Sequence, residues 1–380
     1  MGKAGEKLRL MAVGDILIHL EIESACRGED GYDFSGLFEN VRGVFKEADL
    51  VIGNQETILS DRVPPSGFPV FATPTAVGDA EAEVFDLITT ATNHSLDQGE
   101  QGMEDNYAFW EENAIPAAGI YPRSSERCYA RVERNGIKVA VYNATAVTNY
   151  HVQLPGSRLV LETISSFTED HMKQQISNAH RECDYVIVMP HWGIEYLYEP
   201  TERVRKLARF FAEAGADMII GTHPHVVEPV ETIKCSDGRR VPCFYSLGNF
   251  ISAQKRPATM LGGLADVTLE RGTKGKVRAT ELRLRPLAAH TGPDMKGFTV
   301  YPLEEYSDEL ASENALFKLI EAEYGVRTDT AYLKDLFGKI LSGEAQKENM
   351  FRNAADVKLY NATRLVPVLK KEIKKKLRQR

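Results

Sequence analysis

Six short apolar runs in the first 250 residues end alike. Each meets a small or polar residue and then a side chain able to bind a metal or move a proton. The runs 8–13, 50–52 and 85–90 lead into Gly14-Asp15, Gly53-Asn54-Gln55-Glu56 and Ala91-Thr92-Asn93-His94. The runs 184–190, 216–220 and 241–246 lead into His191-Trp192-Gly193-Ile194-Glu195-Tyr196, Gly221-Thr222-His223-Pro224-His225 and Leu247-Gly248-Asn249. Apolar runs this short, bounded by turn residues, read as buried strands. One such ending is noise, but six in one chain exceed what caps and turns account for.

Helical patterns fall between the runs, at 34–48, 75–84, 101–113, 163–182 and 202–214, the last closed by Gly215. Strands alternating with helices predict an α/β fold, and open α/β sheets place their chemistry at the C-terminal ends of the strands. Asn135-Gly136 between 129–132 and 137–142 predicts a hairpin. Residues 264–269 and 277–284 predict an antiparallel pair. Residues 61–74, rich in Pro, Gly and aromatics, read as a surface loop long enough to cover a site. From about residue 300 the chain turns polar and charged, so the expected division is a domain over 1–299 and a helical appendage over 300–380. The basic run at 370–380 reads as a solvated helix end whose cations favour the macrodipole, or as a contact for anionic lipid or polymer.

A formal charge of -8 gives no reason to expect nucleic-acid binding. The five cysteines form no CxxC pair, which argues against a zinc knuckle or a disulfide framework. Cys235 and Cys243 flank a predicted turn, where a disulfide is geometrically open; free buried thiols are the simpler reading. No stretch approaches the roughly 20 apolar residues of a membrane helix. The run 8–13 is also too short for a signal-peptide core, so the expectation is a cytoplasmic protein with no transmembrane segment.

His223 and His225, two residues apart after a strand, can converge on one point, and neutral imidazole is a common metal ligand. Asp15 reads as a metal carboxylate or a helix cap, and His19 as a further ligand or a loop histidine. Asn93 and His94 can divide their duties, the amide oxygen binding metal and the imidazole handling a proton. A nitrogen and oxygen donor set suits Mn, Fe, Zn or Mg. Ligands from separate strand ends could hold one or two divalent ions, with Glu56 as the bridge. Two metals about 3.5–4 Å apart activate a water and clamp a phosphoryl or carbonyl centre.

The ordered set Gly14-Asp15, Gly53-Asn54-x-Glu56, Ala91-Thr92-Asn93-His94-Ser95-Leu96-Asp97, His191-Trp192-Gly193-x-Glu195-Tyr196, Gly221-Thr222-His223-Pro224-His225 and Ser246-Leu247-Gly248-Asn249-Phe250 resembles the motif series of the CapA-type capsule-synthesis (poly-γ-glutamate) family. That family is a branch of the calcineurin-like metallophosphoesterase superfamily, and the resemblance spans about residues 8–285. It implies a four-layer α/β/β/α metallophosphoesterase-like sandwich with the site at the strand C-termini. It implies Asp15 and His225 for a first metal, Glu56 as bridge, and Asn93, His191 and His223 for a second. His94 then protonates the leaving group. Glu195 is either a second base or a hydrogen-bond partner of His191. Asn54 and Tyr196 face substrate, and Asn249 faces substrate or caps a turn. The chain departs from the superfamily at Leu17, where Asp-x-His would place a histidine, and at Glu56, one methylene longer than the usual Asp. The expected function is a metal-dependent hydrolase of a phosphoester or a γ-glutamyl amide, with an anionic small-molecule or polyglutamate-like substrate. The alternative is a non-catalytic capsule-polymer binding or assembly protein.

Overall fold

The structure is a computed structural model that describes residues 3–149, 156–164 and 169–349. Its organisation follows from two-residue alternation in the first strand, Lys7–Ile16. Leu8, Leu10 and Ala12 point into one core, and Met11 and Val13 into another. A strand buried on both faces needs a partner layer on each side.

That strand lies inside an 8-stranded sheet. The sheet order is Lys296–Pro302, Val277–Gly292, Leu261–Arg271, Lys7–Ile16, Leu50–Gln55, Leu87–Thr89 and Ala117–Ala118. The last four run parallel and the others antiparallel. The short strand Asn249–Ile251 runs parallel to the end of Lys7–Ile16 and sets Asn249 in register with Asp15. The second, 6-stranded sheet runs Val230–Lys234, Arg240–Phe244, Met218–Ile220, Tyr185–His191, Ile137–Thr145 and Ala130–Arg134. Its four central strands are parallel, and a hairpin closes each edge.

The sheets face each other across one core, where Leu10, Ile52 and Leu87 meet residues such as Val139 and Val188. Helices Glu169–Glu182 and Glu202–Ala214 lie on the second sheet, through Ile176, Ala208 and Phe211. The second of these starts where the Thr201 hydroxyl accepts the Val204 amide, and it ends at Gly215. The outer face of the first sheet packs on Phe38, Phe45, Phe85 and Trp110, and on helices Ala315–Tyr324 and Thr330–Ser342. The result is the four-layer α/β/β/α sandwich. At the end where Lys7–Ile16 begins, the Arg271 guanidinium clasps the two sheets. It donates to Glu6 and to Asp184 at 2.8 Å, and to the Gly136 carbonyl at 2.9 Å.

Several elements differ from expectation. Residues 34–48 form a 3-10 turn, Ser35–Leu37, and one helical turn, Arg42–Phe45, because Gly36 and Gly43 weaken a continuous helix. Helix Glu169–Glu182 covers the later part of the stretch expected over 163–182, and Thr163 bridges Thr145 after an unforeseen strand, Leu159–Leu161. Strand Val277–Gly292 continues through Pro286, and Lys296–Pro302 adds a further strand across the expected boundary near residue 300. The basic run at 370–380 lies outside the described residues. Cys235 and Cys243 are free thiols, since the hairpin register sets Cys243 opposite Glu231. Among the described residues no helix is long and apolar enough to cross a membrane.

Candidate metal centre

The parallel register brings the polar strand ends to one level. Asp15 pairs with Asn54 and with Asn249 in the first sheet, and Thr145, His191 and Thr222 align in the second. Two glycines permit this approach. A Cβ on Gly14 would lie 1.9 Å from the Gly248 carbonyl oxygen, and one on Gly221 would lie 2.0 Å from that of Tyr245. The histidine turn is strained: His223 and His225 sit at φ 100 and φ 60, a left-handed backbone costly for side chains other than glycine.

Two triads of ligand atoms result, Asp15–Glu56–His225 and Glu56–His191–His223, each with its donor atoms within 4.8 Å of one another. Glu56 belongs to both. It is buried, and neither of its carboxylate oxygens has a hydrogen-bond partner. His223 Nδ1 is likewise buried and unpartnered. Buried polar atoms are almost always satisfied, so three orphans in one cluster fit a site built for cations. Asn93 Oδ1 lies 2.8 Å from His191 Nε2, which adds an amide oxygen to the second triad. Thr222 Oγ1 sits 2.9 Å from His191 Nδ1 and orients that ring.

Burial pushes Glu56 well above the usual carboxylate range, although His225 opposes this. Burial also holds His191 well below its ordinary value and His223 down at about 3, so both are neutral, as metal ligation requires. Burial opposes charge on His225 too, but Glu56 and the 3.1 Å contact with Asp15 Oδ2 outweigh it and raise His225 to about 10.

The other expected residues fall as follows. His94 Nε2 lies 4.0 Å from Glu56 Oε1, at the edge of the centre. Its Nδ1 is held by Asp97 Oδ2 at 2.6 Å. His19 belongs to neither triad: Ala253 N–H donates to its Nδ1 at 3.3 Å, and its ring packs on Phe71. Asn54, expected to face substrate, is fully buried. Its amide nitrogen donates to Asp15 Oδ1 at 2.9 Å and its oxygen accepts from Thr89, so it positions Asp15. Asn249 faces both ways: its Oδ1 lies 3.1 Å from His225 Nδ1, and its amide nitrogen donates to Ser252 Oγ at 2.8 Å and Gln254 Oε1 at 3.0 Å in the turn that follows. Glu195 makes no hydrogen bond to His191, whose two nitrogens face Thr222 and Asn93. Its charge acts on Glu56 and His225. The Tyr196 ring lies 6.0 Å from His225, with the Arg256 guanidinium 4.3 Å above it. Phe71, from the loop at 61–74, packs edge-on against His94 at 4.6 Å.

Sequence reasoning missed Asp97 and Thr222 as partners of the site. The first carried a signal, a carboxylate three residues after His94; the second carried none beyond its place in the histidine turn.

An α/β/β/α sandwich with buried carboxylates, amides and imidazoles at its joined strand ends defines a class of protein with a candidate metal centre between two sheets. Within that class, the chain belongs to the bacterial capsule synthesis protein family PGA_cap, whose profile matches residues 9–254. It is 30% identical over 278 residues to the PGA biosynthesis protein CapA of Bacillus subtilis strain 168, covering 71% of this chain and 70% of that protein. It is 29% identical over 269 residues to the capsule biosynthesis protein CapA of Bacillus anthracis, covering 66% and 61%. Among solved structures, a candidate 5'-nucleotidase from Staphylococcus aureus in complex with alpha-ketoglutarate aligns with a TM-score of 0.44 and 15% identity, over 73% of this chain and 54% of that one. NAD nucleotidase (NadN) of Haemophilus influenzae aligns with a TM-score of 0.45 and 12% identity, over 90% and 61%. At that level of likeness the fold rests on the sheet order and packing described above.

Proposed function

We propose that the chain is a metal-dependent hydrolase of capsule-polymer metabolism, acting on a phosphoester or a γ-glutamyl amide bond. The observation that carries this reading is the pair of unpartnered Glu56 oxygens shared by two ligand triads. Asp15, Glu56 and His225, with the Asn249 oxygen beside them, would hold one divalent ion. Glu56, His191, His223 and Asn93 would hold the other. Such ions supply Lewis-acid polarisation of a phosphoryl or carbonyl oxygen. His94 would protonate the departing oxygen or nitrogen from Nε2, while Asp97 holds the ring through Nδ1. Glu195, half-buried beside the triads, is available as a second base. Tyr196 and Arg256 offer a ring face and a cation to an anionic substrate.

One observation favours the polymer-binding reading. Leu17 is an apolar, buried residue where the superfamily places a histidine, and His19 belongs to neither triad, so the first half-site has fewer donors. Elemental analysis of protein purified without chelator, beside a His223→Ala control, separates the two readings. Metal equivalents lost in the control, together with hydrolysis of phosphodiesters, phosphomonoesters or γ-glutamyl peptides, support the hydrolase. A folded protein whose uptake of added Mn, Zn and Mg equals that of the control overturns it in favour of polymer binding.

A further inference from the structure

A second group of ligand atoms lies apart from the centre. Cys128 precedes the edge strand Ala130–Arg134, Glu162 follows Leu159–Leu161, and His171 sits in the first turn of helix Glu169–Glu182. Their Sγ, carboxylate oxygen and imidazole nitrogen all lie within 4.8 Å of one another. The Cys128 amide donates to Gln175 Oε1 at 3.0 Å, which ties the cysteine to the same helix as His171.

Glu162 carries the argument. It is fully buried, and its Oε2 accepts from Tyr142 Oη at 2.9 Å and faces His171 Nε2 at 3.2 Å. Its Oε1 is buried with no partner, and so is Tyr121 Oη, for which Glu162 and Cys128 are neighbouring acidic groups. A carboxylate placed only to receive Tyr142 and His171 would leave no oxygen orphaned in an apolar surround. The His171 side chain is 26% exposed, whereas Cys128 and Glu162 are buried. A thiol serving as a nucleophile needs open approach to sulfur, and here the sulfur is buried.

We propose that Cys128, Glu162 and His171 form a second metal site, selective for zinc, between helix Glu169–Glu182 and strand Ile137–Thr145. One sulfur, one nitrogen and one oxygen donor suit a tetrahedral borderline ion better than Mg or Mn, with Tyr121 or a water as the fourth donor. Cys128 binds as thiolate, and its proton passes to solvent. The ion would pin the start of the helix to the strand below it. The site is independent of the hydrolase reading, because it shares no residue with the Glu56 triads.

Cobalt substitution tests it, because the triads around Glu56 contain no sulfur. Full-length protein freed of metal and loaded with Co(II) should show a near-ultraviolet sulfur-to-cobalt charge-transfer band. The band should persist in His223→Ala and disappear in Cys128→Ser and in His171→Ala. Zinc analysis should show one equivalent retained in His223→Ala and lost in Cys128→Ser. Glu162→Gln keeps the shape and the Tyr142 contact, so it should weaken zinc affinity at least tenfold with an unchanged circular dichroism spectrum. Absence of the band from the loaded protein overturns the proposal, as does a band that survives Cys128→Ser.

Discussion

Asp97 Oδ2 lies 2.6 Å from His94 Nδ1 and also accepts the Phe71 amide at 2.7 Å. One carboxylate oxygen thus fixes both the imidazole and the loop residue whose ring packs against it. Asp97→Asn preserves the shape but removes the anion behind the ring. Turnover should fall about 10–100-fold while metal content holds. Steady-state kinetics beside elemental analysis check this, and loss of metal would instead make Asp97 part of the ligand set.

His94 and His223 are separable. His223→Ala removes a member of a triad and should abolish bound metal at that half-site. His94→Ala should retain metal and lose about 10²–10⁴-fold in turnover, the range of a general acid. Metal loss in His94→Ala would reverse the two roles.

Glu81, on helix Ala76–Ala82, is fully buried with both carboxylate oxygens unpartnered. Burial holds its carboxyl well above the ordinary value of 4.5, so the folded chain binds this proton more tightly than the unfolded chain does. Its contribution to stability is complete below the unfolded value and is lost as pH rises through the folded one. Glu81→Gln removes that loss. The variant should match the parent near about pH 4 and exceed it near about pH 8 by roughly 1–3 kcal/mol. Urea unfolding at both pH values checks this, and equal differences would refute it.

Gly14→Ala drives a methyl group into the Gly248 carbonyl. Backbone cannot yield as a flexible side chain does, so stability should fall by about 3 kcal/mol. Metal affinity should fall with it, because Asp15 is the next residue. Gly43→Ala, in a place where nothing lies within 4 Å of the new Cβ, is the control that should leave metal affinity unchanged and stability equal or raised by up to about 1 kcal/mol.

Chelation should destabilise the folded chain. A metal that binds only the folded state stabilises it by about 2.7 kcal/mol at a hundredfold excess over its Kd. Thermal unfolding with and without chelator should separate by that order in the parent and by less in a variant carrying both His223→Ala and Cys128→Ser.

The strand ends were legible because a buried parallel strand needs an unbroken apolar run, and six such runs stood out against the helical patterns. The grouping of Asp15, Glu56, His191, His223 and His225 followed from those endings. The part Asn54 plays in holding Asp15 was not legible: an amide one strand over from a carboxylate is as well suited to that as to meeting substrate, and only packing shows the contact. The strand Lys296–Pro302 escaped notice because its pairing depends on Val277–Gly292, whose Pro286 and terminal Gly292 break the local pattern. Cys128, Glu162 and His171 carry no shared spacing in the chain; the folding of three separate elements brings them together.

The Arg271 clasp sits where Lys7–Ile16 begins, and the Glu56 cluster where it ends. With ions held at the proposed centre, the sheets would be fastened at both ends by unlike fasteners, one permanent and one removable. Glu56, Asp15 and Asn93 ride on one leaf, and His191, His223 and His225 on the other. The distance between the half-sites is thus a gauge of how the leaves are aligned. Emptying the centre would free the mouth of the molecule to gape while its spine stays shut.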